Sequence, residues 1–343
     1  MGAQAATAAN EAVINTARTV REDLLARNRI AVLIPCYNEE VTIGDVVRQI
    51  QAQLPRADIY VFDNNSSDRT AQRAREAGAM VFHERRQGKG YVVQSMFRQV
   101  DADIYIMLDG DGTYPAASVS KLMAPILQQQ ADMVVGSRLH AQSQSQFQSL
   151  NRLGNGLLLR ILNSIFKVQL TDLLSGYRAF NRKFVRGVSL SGGGFEIETE
   201  LTIKALERGY RIVEIPVDLG RRPEGSHSKI RLLRDGCVIL NTILALFRDY
   251  KPLTFFGVLG FLLVVAGLVP GLIVITEFLH TGLVLRMPSA ILAVGLMLSG
   301  MLLTTVGLIL HTIVRRFQEL EYYLRGSAGE FNPANTNDLN DVA

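Results

Sequence analysis

The sequence predicts an α/β fold, a parallel sheet covered by helices on both faces, followed by two helices that cross a membrane. Three observations carry this. From Ile30 to Leu108 short apolar runs alternate with amphipathic stretches of helical period, the pattern of a parallel sheet. The last of these runs, Ile104 to Leu108, leads into Asp109-Gly110-Asp111-Gly112, so an acidic pair stands at a strand's carboxyl end, where open α/β sheets bind ligands. Finally, Leu253 to Thr276 and Ser289 to Leu310 carry no charge, and each exceeds the roughly 20 residues that span a bilayer.

The elements follow in order. Ile30 to Ile34, closed by Pro35, reads as a buried strand, and Thr42 to Leu54 as an amphipathic helix. The second strand, Ile59 to Phe62, ends in Asp63-Asn64-Asn65-Ser66-Ser67-Asp68, a cluster of turn and N-cap residues before a helix from Thr70 to Ala77. Ala79 to Phe82 is a third strand, then Gln87-Gly88-Lys89-Gly90 and a helix from Tyr91 to Gln99. No G-x-G-x-x-G follows the first strand, and Gly88-Lys89-Gly90 lacks the flanking residues of a P-loop, so neither common phosphate loop is present. Met133 to Gly136 is a fifth strand. Ala141 to Ser149 is a glutamine- and serine-rich loop, Leu153 to Phe166 is helix-like, Glu196 to Arg208 is a helix, and Arg211 to Val217 is a strand.

Two carboxylates two residues apart can share one hard cation. Magnesium takes one or two protein carboxylates and leaves its other positions to water and phosphate. Taken alone, Asp109 and Asp111 read as a metal–diphosphate site or as an Asp-Gly turn.

Charge and cysteines narrow the partners. Hydrophobic residues make up 48% of the 343-residue chain, with a formal net charge of +4. A basic balance fits a phosphorylated substrate or an anionic membrane surface; nucleic acid ranks last, because no basic patch is interleaved with aromatics. Cys36 and Cys237 fit no metal spacing and read as reduced thiols, and the five histidines form no ligand set. The first thirty residues hold no apolar signal core, but Val13, Ala17, Val20 and Leu24 recur at helical spacing, as in a helix docking on the body or on a second subunit of a homo-oligomer. Arg231, Arg234, Arg248 and Lys251 precede the first apolar run, and Arg315, Arg316 and Arg325 follow the second. By the positive-inside rule both ends are expected to be cytoplasmic, in a multi-pass protein of the cytoplasmic membrane. The expected division is a helical extension over 1–28, a catalytic domain over 29–229, a juxtamembrane amphipathic helix over 230–251, a membrane hairpin over 252–314 and a polar tail over 315–343, disordered from Gly326.

In order along the chain, these motifs resemble those of family-2 glycosyltransferases with the GT-A fold, most of all the polyprenyl-phosphate sugar synthases of the dolichol-phosphate mannose synthase group. Pro35-Cys36-Tyr37-Asn38-Glu39 resembles the opening P-x-Y-N-E, and Asp63 to Asp68 the D-D/N-G-S-x-D turn, with Asn65 where glycine is usual. Asp109-Gly110-Asp111 resembles the D-x-D metal motif. Gly136-Ser137-Arg138, Ser175-Gly176-Tyr177-Arg178 and Arg222-x-x-Gly225-x-x-Ser228-Lys229 resemble acceptor-side motifs, the last with one residue more than the common R-x-x-G-x-S-K.

The resemblance implies a GT-A sheet of Rossmann-like, mixed type and a role for each motif. Pro35, Tyr37, Glu39 and Asp63 would bind the nucleotide of a UDP-hexose or GDP-mannose, and Lys89 its diphosphate. Asp109 and Asp111 would hold Mg²⁺ or Mn²⁺. Arg138, Ser175, Arg222 and Lys229 would hold the phosphate of undecaprenyl or dolichyl phosphate, with Arg138 and Arg222 counted among the catalytic residues. Standing alone, Lys89 and Arg138 read more often as solvated surface bases and Tyr37 as packing. A phosphate monoester, with a second pKa near about 6, is nucleophilic at neutral pH without a protein base. Direct attack by its oxygen inverts the anomeric centre. Two rivals share these residues. A processive polysaccharide synthase is expected to carry Q-x-x-R-W, and this chain has no tryptophan. A non-catalytic membrane-anchored module would have no use for the intact acidic pair.

Overall fold

A computed structural model describes residues 27–138, 156–220 and 240–330, less positions 157, 158, 161, 165, 195, 242 and 246. Almost all of the predicted N-terminal extension, the loop bearing Arg222 and Lys229, and the start of the juxtamembrane helix lie outside the described residues. The chain divides into two compact units between Ile243 and Leu244.

The first unit holds seven strands: β1 (Ile30–Cys36), β2 (Asp58–Asp63), β3 (Met80–His83), β4 (Ile104–Met107), β5 (Met133–Ser137), β6 (Arg178–Asn181) and β7 (Ile212–Pro216). Its labelled helices are α1 (Ile43–Gln53), α2 (Thr70–Glu76), α3 (Lys89–Gln99), α4 (Val119–Leu127), α5 (Arg182–Gly187) and α6 (Ile197–Glu207). The sheet order is β3-β2-β1-β4-β6-β5-β7. Every pairing is parallel except those of β6, which runs antiparallel to both β4 and β5. The parallel sheet read from periodicity is thus a mixed one, as the resemblance implies.

Alternation along β1 explains why both faces are covered. Ile30, Val32, Ile34 and Cys36 join a core with Ile43, Val47 and Ile50 of α1 and Val119, Leu122 and Met123 of α4. Ala31 and Leu33 point the other way, into a core with Val92, Val93 and Met96 of α3 and Ile197 and Leu201 of α6. A strand buried on both faces reads as an unbroken apolar run, as this one does.

This topology puts the polar loops together. The chain runs outward from β1 through β2 to β3, then returns to place β4 on the other side of β1. The crevice at such a reversal opens at the carboxyl ends of the strands. Because β6 is antiparallel, the segment that enters it, Asp172 to Tyr177, comes to that same edge.

The second unit contains α7 (Pro252–Thr281) and α8 (Met287–Glu330), with helix also wherever residues 244–250 are described. Pro252–Thr281 and Met287–Phe317 are long and apolar enough to cross a membrane. Only 17% of either apolar window is buried, whereas the core helix of a soluble protein would be mostly covered. Gly260 and Gly267 of α7 face Gly300 and Ala293 of α8; a Cβ on Gly260 would come 2.5 Å from the Gly300 carbonyl, and one on Gly267 2.9 Å from that of Ala293. Small residues that let backbones approach are how apolar helices pack in lipid. Helix α8 continues to Glu330, so the predicted tail is helical through its first part, and Gly326 to Glu330, expected to be disordered, belong to it; residues 331–343 lie outside the described residues.

Candidate active site

Loops after β1, β2, β3 and β4 form one wall of the crevice, and they are tied to each other by short polar side chains. Asn38 N–H donates to Ser66 Oγ at 2.9 Å, and Ser67 N–H donates to Asn38 Oδ1 at 2.8 Å. Glu39 N–H donates to Thr70 Oγ1 at 2.8 Å, and Thr42 Oγ1 donates to the Gly110 carbonyl at 2.7 Å. Asn64 donates through Nδ2 to the carbonyls of Glu84 and Arg86 at 3.0 and 2.8 Å, and its Oδ1 accepts from Gly88 N–H at 2.7 Å. Asn65 has φ of 59°, in the left-handed region. Asparagine is among the few residues other than glycine that tolerate it, so the departure from the usual glycine preserves the turn.

Asp63 ends β2, is 3% exposed, and pairs in register with His83 at the end of β3. Its Oδ2 lies 3.1 Å from His83 Nδ1, while Oδ1 is buried with no hydrogen-bond partner. Pro35 lies in β1 opposite Phe62. Tyr37 is exposed, and the buried Glu39 meets the Thr42 hydroxyl at 3.4 Å.

At the crevice centre stand Asp109 and Asp111, just past β4. Asp111 is buried, and its Oδ1 accepts from Thr113 N–H at 3.0 Å and from Thr113 Oγ1 at 2.7 Å. Lys89, first residue of α3, reaches across: its Nζ is 2.5 Å from Asp109 Oδ1 and 2.6 Å from Glu198 Oε1. Burial works against the ammonium, but Asp109 and Glu198 outweigh it and hold Lys89 above its ordinary pKa. Asp109 itself is pushed up by burial and by its neighbours Asp111 and Glu198, against the pull of Lys89.

Glycines fix this geometry. A Cβ on Gly90 would collide with the Gly192 carbonyl, and Gly90 N–H donates to the Gly193 carbonyl at 3.1 Å. The loop Ser191 to Gly194 is in turn held by buried Glu200, which accepts from Ser191 N–H at 2.8 Å and Gly192 N–H at 2.7 Å and pairs with Lys204 at 2.7 Å. These contacts outweigh the cost of burial and keep the Glu200 carboxyl below its usual pKa.

The far wall is the segment entering β6. Met107 pairs with Arg178 in an antiparallel ladder, which brings Gly176 alongside Asp109. Gly176 N–H donates to the hydroxyl of Tyr114 at 3.0 Å. Arg178 is fully buried and donates to the Ser175 carbonyl, the Leu173 carbonyl and Thr202 Oγ1, each at 2.9 Å. Burial lowers its pKa, and nearby Glu198 and Asp172 oppose the drop.

Two acceptor-side candidates have other work in this conformation. Arg138 pairs bidentately with Asp172, at 2.7 and 2.9 Å, and Asp172 N–H donates to Glu214 Oε1 at 3.0 Å. Ser175 is fully buried and donates to the Gly136 carbonyl at 2.6 Å, so it braces the wall instead of facing an acceptor. Neither Glu198 nor the Asp172–Glu214 support was picked out from sequence. Three glycines ahead of a helix, Gly192 to Gly194, were the available signal.

Among the described residues no three His, Cys, Asp or Glu side chains group as an all-protein cage. The acidic pair fits the other arrangement, a cation that keeps positions for water and phosphate. That a largely covered ammonium already sits against Asp109 marks the place as one that accepts positive charge.

Residues 31–188 match the model of glycosyl transferase family 2. The glycosyltransferase AglJ of Haloferax volcanii is 32% identical over 299 residues, 85% of this chain and 98% of that protein. The chain belongs to glycosyl transferase family 2. A dolichyl-phosphate hexose transferase of the same organism is 30% identical over 194 residues, 56% of this chain and 83% of that one. Among solved structures, glucosyl-3-phosphoglycerate synthase from Mycobacterium tuberculosis, in complex with Mn²⁺, UDP-glucose and phosphoglyceric acid, aligns with a TM-score of 0.56. It is 22% identical and covers 66% of this chain and 82% of its own, a likeness of fold.

In this glycosyltransferase a side chain at Gly176 would press on Asp109 and Lys89 and force them to shift. A Cβ there would come 2.7 Å from Asp109 Oδ2 and 3.0 Å from Lys89 Nζ. Gly176→Ala is expected to leave a folded protein with transfer reduced by about a hundredfold, the scale on which about 1 Å of misplacement acts. Comparing turnover with the far-ultraviolet circular dichroism of the variant checks this; an undiminished rate would mean the wall does not set Asp109.

Proposed function

We propose that this glycosyltransferase moves a sugar from a nucleotide diphosphate sugar to the phosphate of a polyprenyl lipid, with inversion at the anomeric carbon. The observation that carries the reading is the Asp109/Asp111 pair at the end of β4 with Lys89 against Asp109. Asp109 and Asp111 would hold Mg²⁺ or Mn²⁺, whose Lewis acidity offsets charge gathering on the departing diphosphate. Lys89 meets the diphosphate as a point charge. Asp63, with its unpartnered buried oxygen, receives an N–H of the uracil or guanine of the donor. One phosphate oxygen of the lipid forms the new bond to the anomeric carbon as the bond to the diphosphate breaks, and the nucleoside diphosphate leaves.

A lipid acceptor is supported by the two apolar helices and by the likeness to a dolichyl-phosphate hexose transferase. Arg138, Arg222 and Lys229 are the proposed acceptor cations. The arginines flanking the apolar helices favour a cytoplasmic location for both ends.

The test is a panel of nucleotide sugars offered with undecaprenyl and dolichyl phosphate. A lipid-phosphate monosaccharide inverted relative to its donor is the expected product. Transfer only to sugar hydroxyls, or a product that retains the donor's configuration, would overturn the reading. In the same assay series Asp63→Ala is expected to weaken donor binding by about ten- to a hundredfold, the loss of a hydrogen bond to a charged group. Calorimetry on the donor nucleotide measures it, and unchanged affinity would remove Asp63 from the pocket.

A further inference from the structure

We propose that Glu198 is a positioning residue that governs how firmly Lys89 occupies Asp109, and thereby how readily Asp109 is given up to a divalent cation. The proposal rests on the reading that Asp109 and Asp111 hold that cation.

The two carboxylates on Lys89 are not equivalent. The Glu198 side chain is 4% exposed, against 29% for Asp109. A carboxylate as buried as Glu198 cannot be left without a counter-charge at small cost. Asp109 keeps access to solvent, so its bond to the ammonium is the exchangeable one. An ammonium has three N–H donors and serves both carboxylates at once. A divalent cation arriving at Asp109 is repelled by the ammonium there, and Glu198 is the group able to retain Lys89 as that contact loosens.

The backbone makes this hold rigid. Glu198 lies in the first turn of α6, directly after the loop whose Gly193 carbonyl binds Gly90 N–H beside Lys89. Gln94 of α3 donates to the Gly192 carbonyl at 2.9 Å, a second tie between α3 and the loop that leads into α6. Glu200, two residues on, is taken up by Ser191, Gly192 and Lys204. The other charged groups facing this cluster are Asp111, the buried Arg178 and Arg138, which also acts on Asp109.

The experiment is Mn²⁺ binding to the full-length protein without nucleotide, followed by electron paramagnetic resonance, with Asp111→Asn to locate the cation. Glu198→Gln is expected to weaken Mn²⁺ by on the order of tenfold, because Lys89 then rests its charge on Asp109 alone. Lys89→Met is expected to tighten it. In the Lys89→Met background Glu198→Gln should change affinity by less than about twofold, since nothing is left to position, and that non-additivity is what a merely structural role would not produce. If Glu198→Gln does not fold, Glu198→Asp, with its shorter reach, should give a smaller weakening in the same direction. Wild-type Mn²⁺ affinity in either Glu198 variant, or an equal loss with and without Lys89, would overturn the proposal while leaving the metal site standing. Absence of Mn²⁺ binding that depends on Asp111 would remove both together.

Discussion

Asp111→Asn is expected to abolish most sugar transfer in a protein that still folds. The amide keeps an oxygen for Thr113, whose N–H and hydroxyl both donate to Oδ1 at 3.0 and 2.7 Å, so the loop after β4 retains its shape. What is lost is one of the two negative charges that, in the proposed function, bring a cation to the diphosphate. Losing one fixed electrostatic contact to a developing charge costs about 10²–10³ in turnover. Release of nucleoside diphosphate from the donor measures it, and EDTA on the wild-type enzyme should reproduce the loss. Turnover within a few-fold of wild type in a metal-stripped Asp111→Asn protein would mean that the acidic pair is only a turn.

Arg178→Ala is expected to be among the most destabilising single changes in the catalytic unit. The side chain is fully buried and supplies donors to the carbonyls of Ser175 and Leu173. Its removal leaves both acceptors buried without partners, at about 1–3 kcal/mol each. A cavity of arginine size adds to that, so the total falls near about 3–5 kcal/mol, in the range of large core truncations. The melting transition of this unit should drop by about 10 °C. Because the same carbonyls belong to the wall beside Asp109, transfer should fall before the protein unfolds. A melting temperature within about 2 °C of wild type would show that water replaces the guanidinium without cost.

The strands and helices that lie on one apolar period were legible, and the ones set by distant contacts were not. β1, β2 and β4 are unbroken apolar runs because both faces are covered, and their ends match the predicted ones to within a residue or two. β6 was not read as a strand. It has four residues, begins with a buried arginine, and owes its place to pairing with β4 and β5. The acidic pair was legible because two aspartates follow an apolar strand. Glu198 was not, because a helix carrying glutamates at 196, 198 and 200 reads as solvated until the glycine loop and Lys89 are seen to bury it. For Ser175 the motif was found, but side-chain chemistry alone does not tell whether a hydroxyl faces the crevice or, as here, its own wall.

The antiparallel insertion of β6 has a consequence for how the enzyme comes into being. The pairs β1–β2 and β2–β3 join neighbours in sequence, and β4 closes onto β1 within the first third of the chain. β6 must then return from far along the polypeptide and slot in before β5 and β7 have a sheet edge to complete. Such distant pairings are slow, since the entropy of closing the long intervening loop is lost before any contact repays it. Emerging from the ribosome, the half built from β1 to β4 can therefore take shape early, while Asp109 gains the backbone of Gly176 and Lys89 gains Glu198 only afterwards. Catalytic competence is the last thing this domain acquires, and until then its β4 edge is an open template for unwanted strand pairing.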